Sequence, residues 1–310
     1  MSEPVILAEA LRFSFGERTA LDGVDLAVQA GEIFGVVGAD GSGKSTLLQV
    51  MIGQLHCAAG RIRVLGLEPE DRRLRGRIAY MPQAFGQYQD LSVRENLEFF
   101  ADLHGVERGA AQSLIRDLLA RTGLTKFEAR RAGQLSGGMM QKLALACALV
   151  TRPRAMFLDE PTTGVDPVSR RAFWRLLESV QAEGVAILYA TANMDEAERC
   201  SRVGFLERGR LGRQGAPLDI VSRGGGVLLG VSGADVRPRW RLLREVPAAR
   251  FAFRVGRQVK VWVEDARGEE AFRAAVTALS PGLRVERLFP TLQDLAVRDL
   301  GVAPAGGADA

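Results

Sequence analysis

The segment Gly38-Ala39-Asp40-Gly41-Ser42-Gly43-Lys44-Ser45 has the spacing GxxxxGK[ST], directly after an apolar run at 33–37 and before Thr46-Leu47-Leu48. A strand, a glycine-rich turn and a helix start in that order aim backbone N–H groups and a helix N-terminus at a phosphate. Lys44 then neutralises β/γ-phosphate charge, and the Ser45 hydroxyl is a ligand for Mg²⁺. Lysine occurs in this chain only at 44, 126, 142 and 260, so a lysine in this loop stands out against an arginine background. Downstream, the apolar run 155–158 ends in Asp159-Glu160. Beside a phosphate loop, Asp159 is placed to hold Mg²⁺ through water and Glu160 to polarise an attacking water, which together is the chemistry of nucleotide hydrolysis. Between the two lies Leu135-Ser136-Gly137-Gly138-Met139-Met140-Gln141-Lys142 ahead of a helical run to 149. Ser136, Gly137 and Gly138 offer a hydroxyl and free N–H groups, a second anion site of the same physical kind. Taken alone, an acidic strand end reads as a solvated edge and Ser-Gly-Gly as a plain turn; the phosphate loop changes both readings.

The elements that must position these residues follow an α/β alternation through residue 222. Strands are expected at 5–8, 33–37, 61–65, 77–81, 155–158, 186–189 and 203–206, several of them continuous apolar runs that suit strands covered on both faces. Ser92-Val93-Arg94-Glu95 is a capping box opening a helix that closes near Gly105, and Asp166-Pro167 sets an N-cap and first-turn proline before another. Residues 1–222 thus form one domain. The glycine run at 223–226 reads as a linker, 227–300 as a second domain of order βαββαβ, and 301–310 as a disordered tail. The second domain is expected to be a small α+β, ferredoxin-like fold. No internal repeat is present, so the first domain is not duplicated.

Composition limits the alternatives. Hydrophobic residues are 47% and charged residues 25% of 310, which excludes global disorder. The longest apolar stretch, 143–150, is shorter than the ~20 residues a membrane helix needs, so no span is expected. Glu3 and Pro4 precede a short apolar run with no basic leader, which does not read as a secretory signal. Cys57, Cys147 and Cys200 are not spaced as metal ligands and fit reduced thiols, so a cytoplasmic setting is expected. A net charge of +4 from 41 basic and 37 acidic residues is too small an excess to argue for nucleic acid.

The ordered set GADGSGKST, YMPQ, LSGGMMQKL, AMFLDEP and TTGVDP resembles the ATP-binding cassette of ABC transporters, over residues 1 to about 222. The resemblance implies a P-loop cassette fold, with a mixed central sheet and a helical subdomain, that binds ATP and Mg²⁺. By the same resemblance Phe15 stacks on adenine, where the family usually has tyrosine, and Gln83 senses the γ-phosphate and Mg²⁺. Two cassettes would sandwich ATP head to tail. Ser136, Gly137 and Gly138 would then grip nucleotide held by the other subunit, and Asp166 would cross between the sites. The partners implied are a second cassette, in a homodimer or heterodimer, and an integral-membrane permease docked near Phe85, Tyr88, Phe99 and Phe100. The location implied is the cytoplasmic face of the inner membrane; no direct nucleic-acid partner is expected. The LSGGM variant and the ending Phe289-Pro290-Thr291-Leu292-Gln293-Asp294 resemble exporters of drugs and hydrophobic compounds.

Two positions depart from the family pattern. Met139 replaces the usual glutamine, which leaves the phosphate-binding N–H groups in place. In Tyr189-Ala190-Thr191-Ala192-Asn193-Met194-Asp195-Glu196, Ala192 stands where the family carries a switch histidine, and the chain's only histidines are His56 and His104. A methyl group cannot hydrogen-bond a γ-phosphate, so weakened hydrolysis is expected, with a nucleotide-gated, non-catalytic cassette in a heterodimer as the alternative. A soluble, nucleic-acid-linked ATPase is disfavoured, because neither a second cassette nor a coiled-coil insertion is present.

Overall fold

The computed structural model describes residues 3–84, 86–234 and 236–300. Along the chain the first part runs β1 (Ile6–Phe15), β2 (Arg18–Val28), β3 (Ile33–Val37), α1 (Lys44–Met51), β4 (Ala59–Val64), β5 (Ile78–Met81), α2 (Val93–Leu103), α3 (Arg108–Thr122), α4 (Gly137–Leu149), β6 (Ala155–Asp159), α5 (Pro167–Ala182), β7 (Ala186–Thr191), α6 (Met194–Ala197), β8 (Arg202–Glu207) and β9 (Arg210–Gly215). The remainder is α7 (Pro217–Ser222), β10 (Val227–Ser232), α8 (Val236–Glu245), β11 (Phe251–Val255), β12 (Gln258–Val263), α9 (Ala266–Leu279), β13 (Arg284–Leu288) and α10 (Leu292–Leu300).

A six-stranded sheet of order β5-β6-β7-β3-β8-β9 forms the centre of the first unit, parallel except for the antiparallel edge strand β9. Strands β3, β6 and β7 are buried at every position, as continuous apolar runs require when both faces are covered. Because β3 and β6 run parallel on either side of β7, their C-terminal ends bring the phosphate loop and the Asp159-Glu160 pair to one edge of the sheet. A separate three-stranded antiparallel sheet, β2-β1-β4, shares a core with the central sheet and α1 that includes Leu11, Leu21, Leu47, Phe157 and Leu188. Helices α2, α3 and α4 enclose their own core of Leu97, Ile115, Leu118 and Leu143, which is the helical subdomain. The Ser92 capping box forms with both of its bonds, Glu95 N donating to Ser92 Oγ at 3.2 Å and Ser92 N to Glu95 Oε2 at 2.7 Å.

β2 and β9 are absent from the sequence expectation. In β2 the pairs Leu11↔Val24 and Arg12↔Asp22 leave Gly23 as an extra residue, and this bulge breaks the period-two alternation by which a strand is read. β9 is the polar run RLGRQG at a sheet edge and carries almost no apolar signal.

The second unit is a four-stranded, wholly antiparallel sheet of order β11-β12-β10-β13. One face, with Leu229, Val231, Val259 and Val261, packs with Leu243 of α8 and Phe272 of α9. The chain divides between Ala216 and Pro217, which corrects the expected boundary at 222: α7 packs on α10, inside the second unit. Nor is 223–226 a free linker. Arg298 donates to the carbonyls of Gly224 and Gly225 at 2.7 and 2.8 Å and lies over the Trp262 ring at 4.4 Å. In the Phe289–Asp294 stretch, Asp294 N donates to Thr291 Oγ1 at 3.2 Å, and Asp294 accepts from Thr291 N at 3.0 Å and from Lys260 Nζ at 2.6 Å, so that motif caps α10. The expected tail at 301–310 lies outside the described residues.

Candidate nucleotide site

The loop from Gly38 to Gly43 joins β3 to α1, so that Lys44, Ser45 and Thr46 occupy the first turn of that helix. Gly43 is the N-cap, at φ +112°, and a Cβ there would lie 2.7 Å from the Ala20 carbonyl oxygen, so neither the backbone nor the space admits a side chain. No side chain caps this helix, which leaves its first N–H groups to a ligand. Lys44, only 4% exposed, donates to the carbonyls of Gly38 at 2.8 Å and Ala39 at 3.0 Å, and its ammonium is 3.1 Å from Glu160 Oε1. The Ser42 hydroxyl is buried in the loop without a hydrogen-bond partner.

Phe15, Asp40, Gln83 and Glu160 join the phosphate loop in lining one open cleft of about 640 Å³. Phe15 closes one end, 52% exposed and braced edge-on by Phe13 with ring centroids 4.8 Å apart, which leaves a ring face free for a flat aromatic ligand. Arg18 and Arg208 also line the cleft and were not singled out from the sequence. Arg18 lies in the unexpected strand β2; Arg208 sits in the β8–β9 turn at φ +48°, a position with no sequence signature.

Asp159 is buried at the end of β6. Burial raises its carboxyl above the usual carboxylate range and the Glu160 charge adds to this, while hydrogen bonds from Ser45 and Tyr80 and the charge of Lys44 oppose it. Its Oδ1 has no hydrogen-bond partner. A buried carboxylate oxygen left open beside the Ser45 hydroxyl is the donor set a hard cation takes, so these residues fit Mg²⁺. Glu160 itself lies at φ +46°, a left-handed conformation that costs a non-glycine residue about 1–3 kcal/mol and persists only where the surroundings impose it. Here Glu160 N donates to the Ala190 carbonyl at 3.0 Å and Thr163 N to the Glu160 carbonyl at 3.2 Å.

The remaining expected residues lie outside the cleft lining. Ser136 caps α4 by accepting from Met139 N at 3.4 Å, and Gly137 faces open space. Gly138 is pressed onto α5, where a Cβ would come 2.2 Å from Ser169 Oγ. Met139 is half-buried against the helical-subdomain core, a packing role that explains an apolar residue there. Asp166 caps α5 by accepting from Val168 N and Ser169 N at 3.0 and 2.9 Å; a hydrogen bond from the Ser169 side chain, then these backbone bonds, lower its carboxyl. Ala192 is exposed just beyond β7, and the neighbouring Asn193 caps α6 by accepting from Asp195 N through its side-chain oxygen at 2.9 Å.

Phosphate loop, buried strand-end acid and helical subdomain together define a P-loop nucleotide-binding cassette. The family model described as "ABC transporter" matches residues 21–163. The chain is 41% identical over 211 residues to the Nod factor export ATP-binding protein I of Burkholderia lata, covering 67% of this chain and 69% of the relative. It is 43% identical over 221 residues to the probable multidrug ABC transporter ATP-binding protein YbhF of Escherichia coli K12, where it spans only 38% of that longer protein. Among solved structures, cbiO1 from Clostridium perfringens superposes with a TM-score of 0.66 at 29% identity, over 72% of this chain and 92% of that one. The chain belongs to the ABC transporter family, whose cassettes are the ATP-hydrolysing subunits of transporters.

Proposed function

We propose that this chain is the ATP-binding and ATP-hydrolysing subunit of an ABC exporter, driving efflux of a small or hydrophobic compound through a separate permease. It would act at the cytoplasmic face of the inner membrane as a peripheral protein, paired with a second cassette. The names of its relatives, in multidrug and Nod factor export, support this direction of transport. No helix among the described residues is long and apolar enough to cross a membrane, in keeping with a permease on another chain. The exposed Tyr88, in edge contact with Phe99 at 4.6 Å, and Phe100 beside it are the surface proposed for that permease; Phe85 lies outside the described residues. A ferredoxin-like assignment for the second unit is supported by its antiparallel order β11-β12-β10-β13 with helices in both crossovers.

The observation that carries the reading is Lys44 held between the loop carbonyls and Glu160. A triphosphate entering the loop offers Lys44 a full anionic partner in place of those contacts, which frees Glu160 to accept a proton from water. Phe15 would take the adenine face and Gln83 the γ-phosphate side. Ser45, Gln83 and Asp159 would hold Mg²⁺, which supplies charge neutralisation at the phosphate oxygens when bound. Ser136, Gly137, Gly138 and Asp166 would complete the site of the opposite cassette. Ala192 leaves the γ-phosphate without one donor, so turnover is slow. It also favours a second reading, a gating cassette paired with one that hydrolyses. ATP turnover of the full chain, alone and with its membrane partner, tests both. Turnover above that of Glu160→Gln, raised further by Ala192→His, is expected; turnover equal to that of Glu160→Gln would leave the gating reading.

A further inference from the structure

Glu196 has no place in the chemistry described so far, yet its carboxylate is among the least accessible in the protein, at 4% exposure. It accepts from Tyr189 Oη at 3.1 Å, from Thr191 Oγ1 at 2.7 Å and from Thr162 Oγ1, and Arg170 Nε lies 3.6 Å away. A buried carboxylate costs several kcal/mol unless it is paired and hydrogen-bonded. Nothing in α6 asks for it: that short helix is already capped by Asn193 and packs through Met194 and Ala197.

Its partners come from three elements: the turn after Glu160 (Thr162), the end of β7 (Tyr189 and Thr191) and the first turn of α5 (Arg170). Thr162 lies two residues after Glu160, within the turn that holds Glu160 in its strained backbone conformation. Thr191 is the last residue before Ala192. Arg170 stands in the first turn of α5 and also donates to the Val165 carbonyl at 3.2 Å, next to Asp166. One charge therefore ties together the turn that aims Glu160, the segment that carries Ala192, and the loop that carries Asp166. The geometry points to Glu196 as a positioning residue for hydrolysis: it fixes the Glu160 turn and, through Arg170, the Asp166 loop, so that a shift of the 191–192 segment moves both. Backbone bonds already join that segment to the site, Glu160 N to the Ala190 carbonyl at 3.0 Å and Gly38 N to the Thr191 carbonyl at 3.2 Å; Glu196 adds the side-chain links that reach Thr162 and Arg170. The role rests on the proposed ATPase function only for its effect on turnover, not for the mechanical linkage itself.

The test uses the full chain with Glu196→Gln, which keeps the side chain's size and removes its charge, and reads hydrogen exchange of backbone amides together with turnover and Mg-ATP affinity. Exchange is expected to quicken about tenfold or more at the amides of Glu160, Thr163 and Val165, which the wild-type turn protects, as well as in 191–197. kcat is expected to fall about tenfold while ATP affinity stays within about twofold, because Glu196 does not touch the phosphate loop. Should Glu196→Gln fail to fold, Thr162→Val removes one strand of the knot and is expected to give the same pattern at about threefold. Faster exchange confined to 193–197, or kcat unchanged in a folded variant of an active wild type, would overturn the inference. Wild-type turnover no greater than that of Glu160→Gln would instead count against the ATPase reading, and the exchange experiment would still decide the linkage.

Discussion

Helices α1 and α4 both begin at glycine-rich turns that present N–H groups, yet the two turns are built in opposite ways. At α1 the cap is a left-handed glycine with no side-chain bond, the Ser42 hydroxyl is buried and unpartnered, and Lys44 is drawn back onto carbonyls within its own loop. That is a concave turn whose donors all come from one chain, as the proposed anion site requires. At α4 the Ser136 hydroxyl is exposed and already caps its helix, Gly137 looks into open space, and Gly138 is wedged against Ser169. That is a convex edge, which grips a phosphate only when another surface brings one to it, as a second cassette would in the proposed dimer. The first turn is a pocket; the second is an exposed edge, which we propose is half of an interface.

The largest effect expected is for Glu160→Gln, which removes the proposed proton acceptor: phosphate-release assays should show turnover lower by about 10²–10⁴-fold, with ATP affinity nearly unchanged. Next, Lys44→Ala takes a charge-assisted hydrogen bond worth about 1.5–3 kcal/mol from the concave site, so titration calorimetry should show ATP affinity lower by roughly 10–100-fold. Gly138→Ala forces a Cβ against Ser169 and should lower stability by about 1–3 kcal/mol in thermal unfolding, with most of the loss recovered in the double variant with Ser169→Gly. Ser136→Ala deletes one cap and should cost about 1 kcal/mol of stability, leaving ATP affinity of the dilute monomer as it was. Smallest in the isolated chain is Gly137→Ala, expected within about 0.5 kcal/mol of wild-type stability while weakening ATP-dependent dimerisation in light scattering. Loss of monomer ATP affinity in either of the last two variants would break the contrast, since it would place the second turn at the chain's own nucleotide.

Much of the candidate site was legible because the chemistry proposed for it needs fixed spacings. Gly38 to Ser45 must be contiguous to wrap a phosphate, and Asp159-Glu160 must end a buried strand, so both could be read with their elements. The Ser92 and Asp166 caps were readable for the same reason, since a helix start leaves local donors that only certain side chains satisfy. The residues that were missed depend on neighbours distant in the chain. Tyr80 matters because β5 and β6 lie side by side, Arg208 because a turn between edge strands reaches the cleft, and Glu196 because Thr162, Arg170 and Thr191 converge on it. The boundary at Ala216 was missed because a glycine run looks like a hinge in sequence, whereas here its carbonyls are bound by Arg298.

By itself, the sequence determined the family, the phosphate loop, the acidic strand end and the absence of a histidine at 192, because each is a statement about residue type at a fixed local offset. Only the tertiary structure decided which glycine of the second turn is demanded by packing, that Lys44 rests against Glu160, and that a buried carboxylate on α6 joins the turn after Glu160, the end of β7 and the start of α5. Those are matters of distance between segments far apart in the chain, set by how the sheets and helices pack, and no local pattern encodes them.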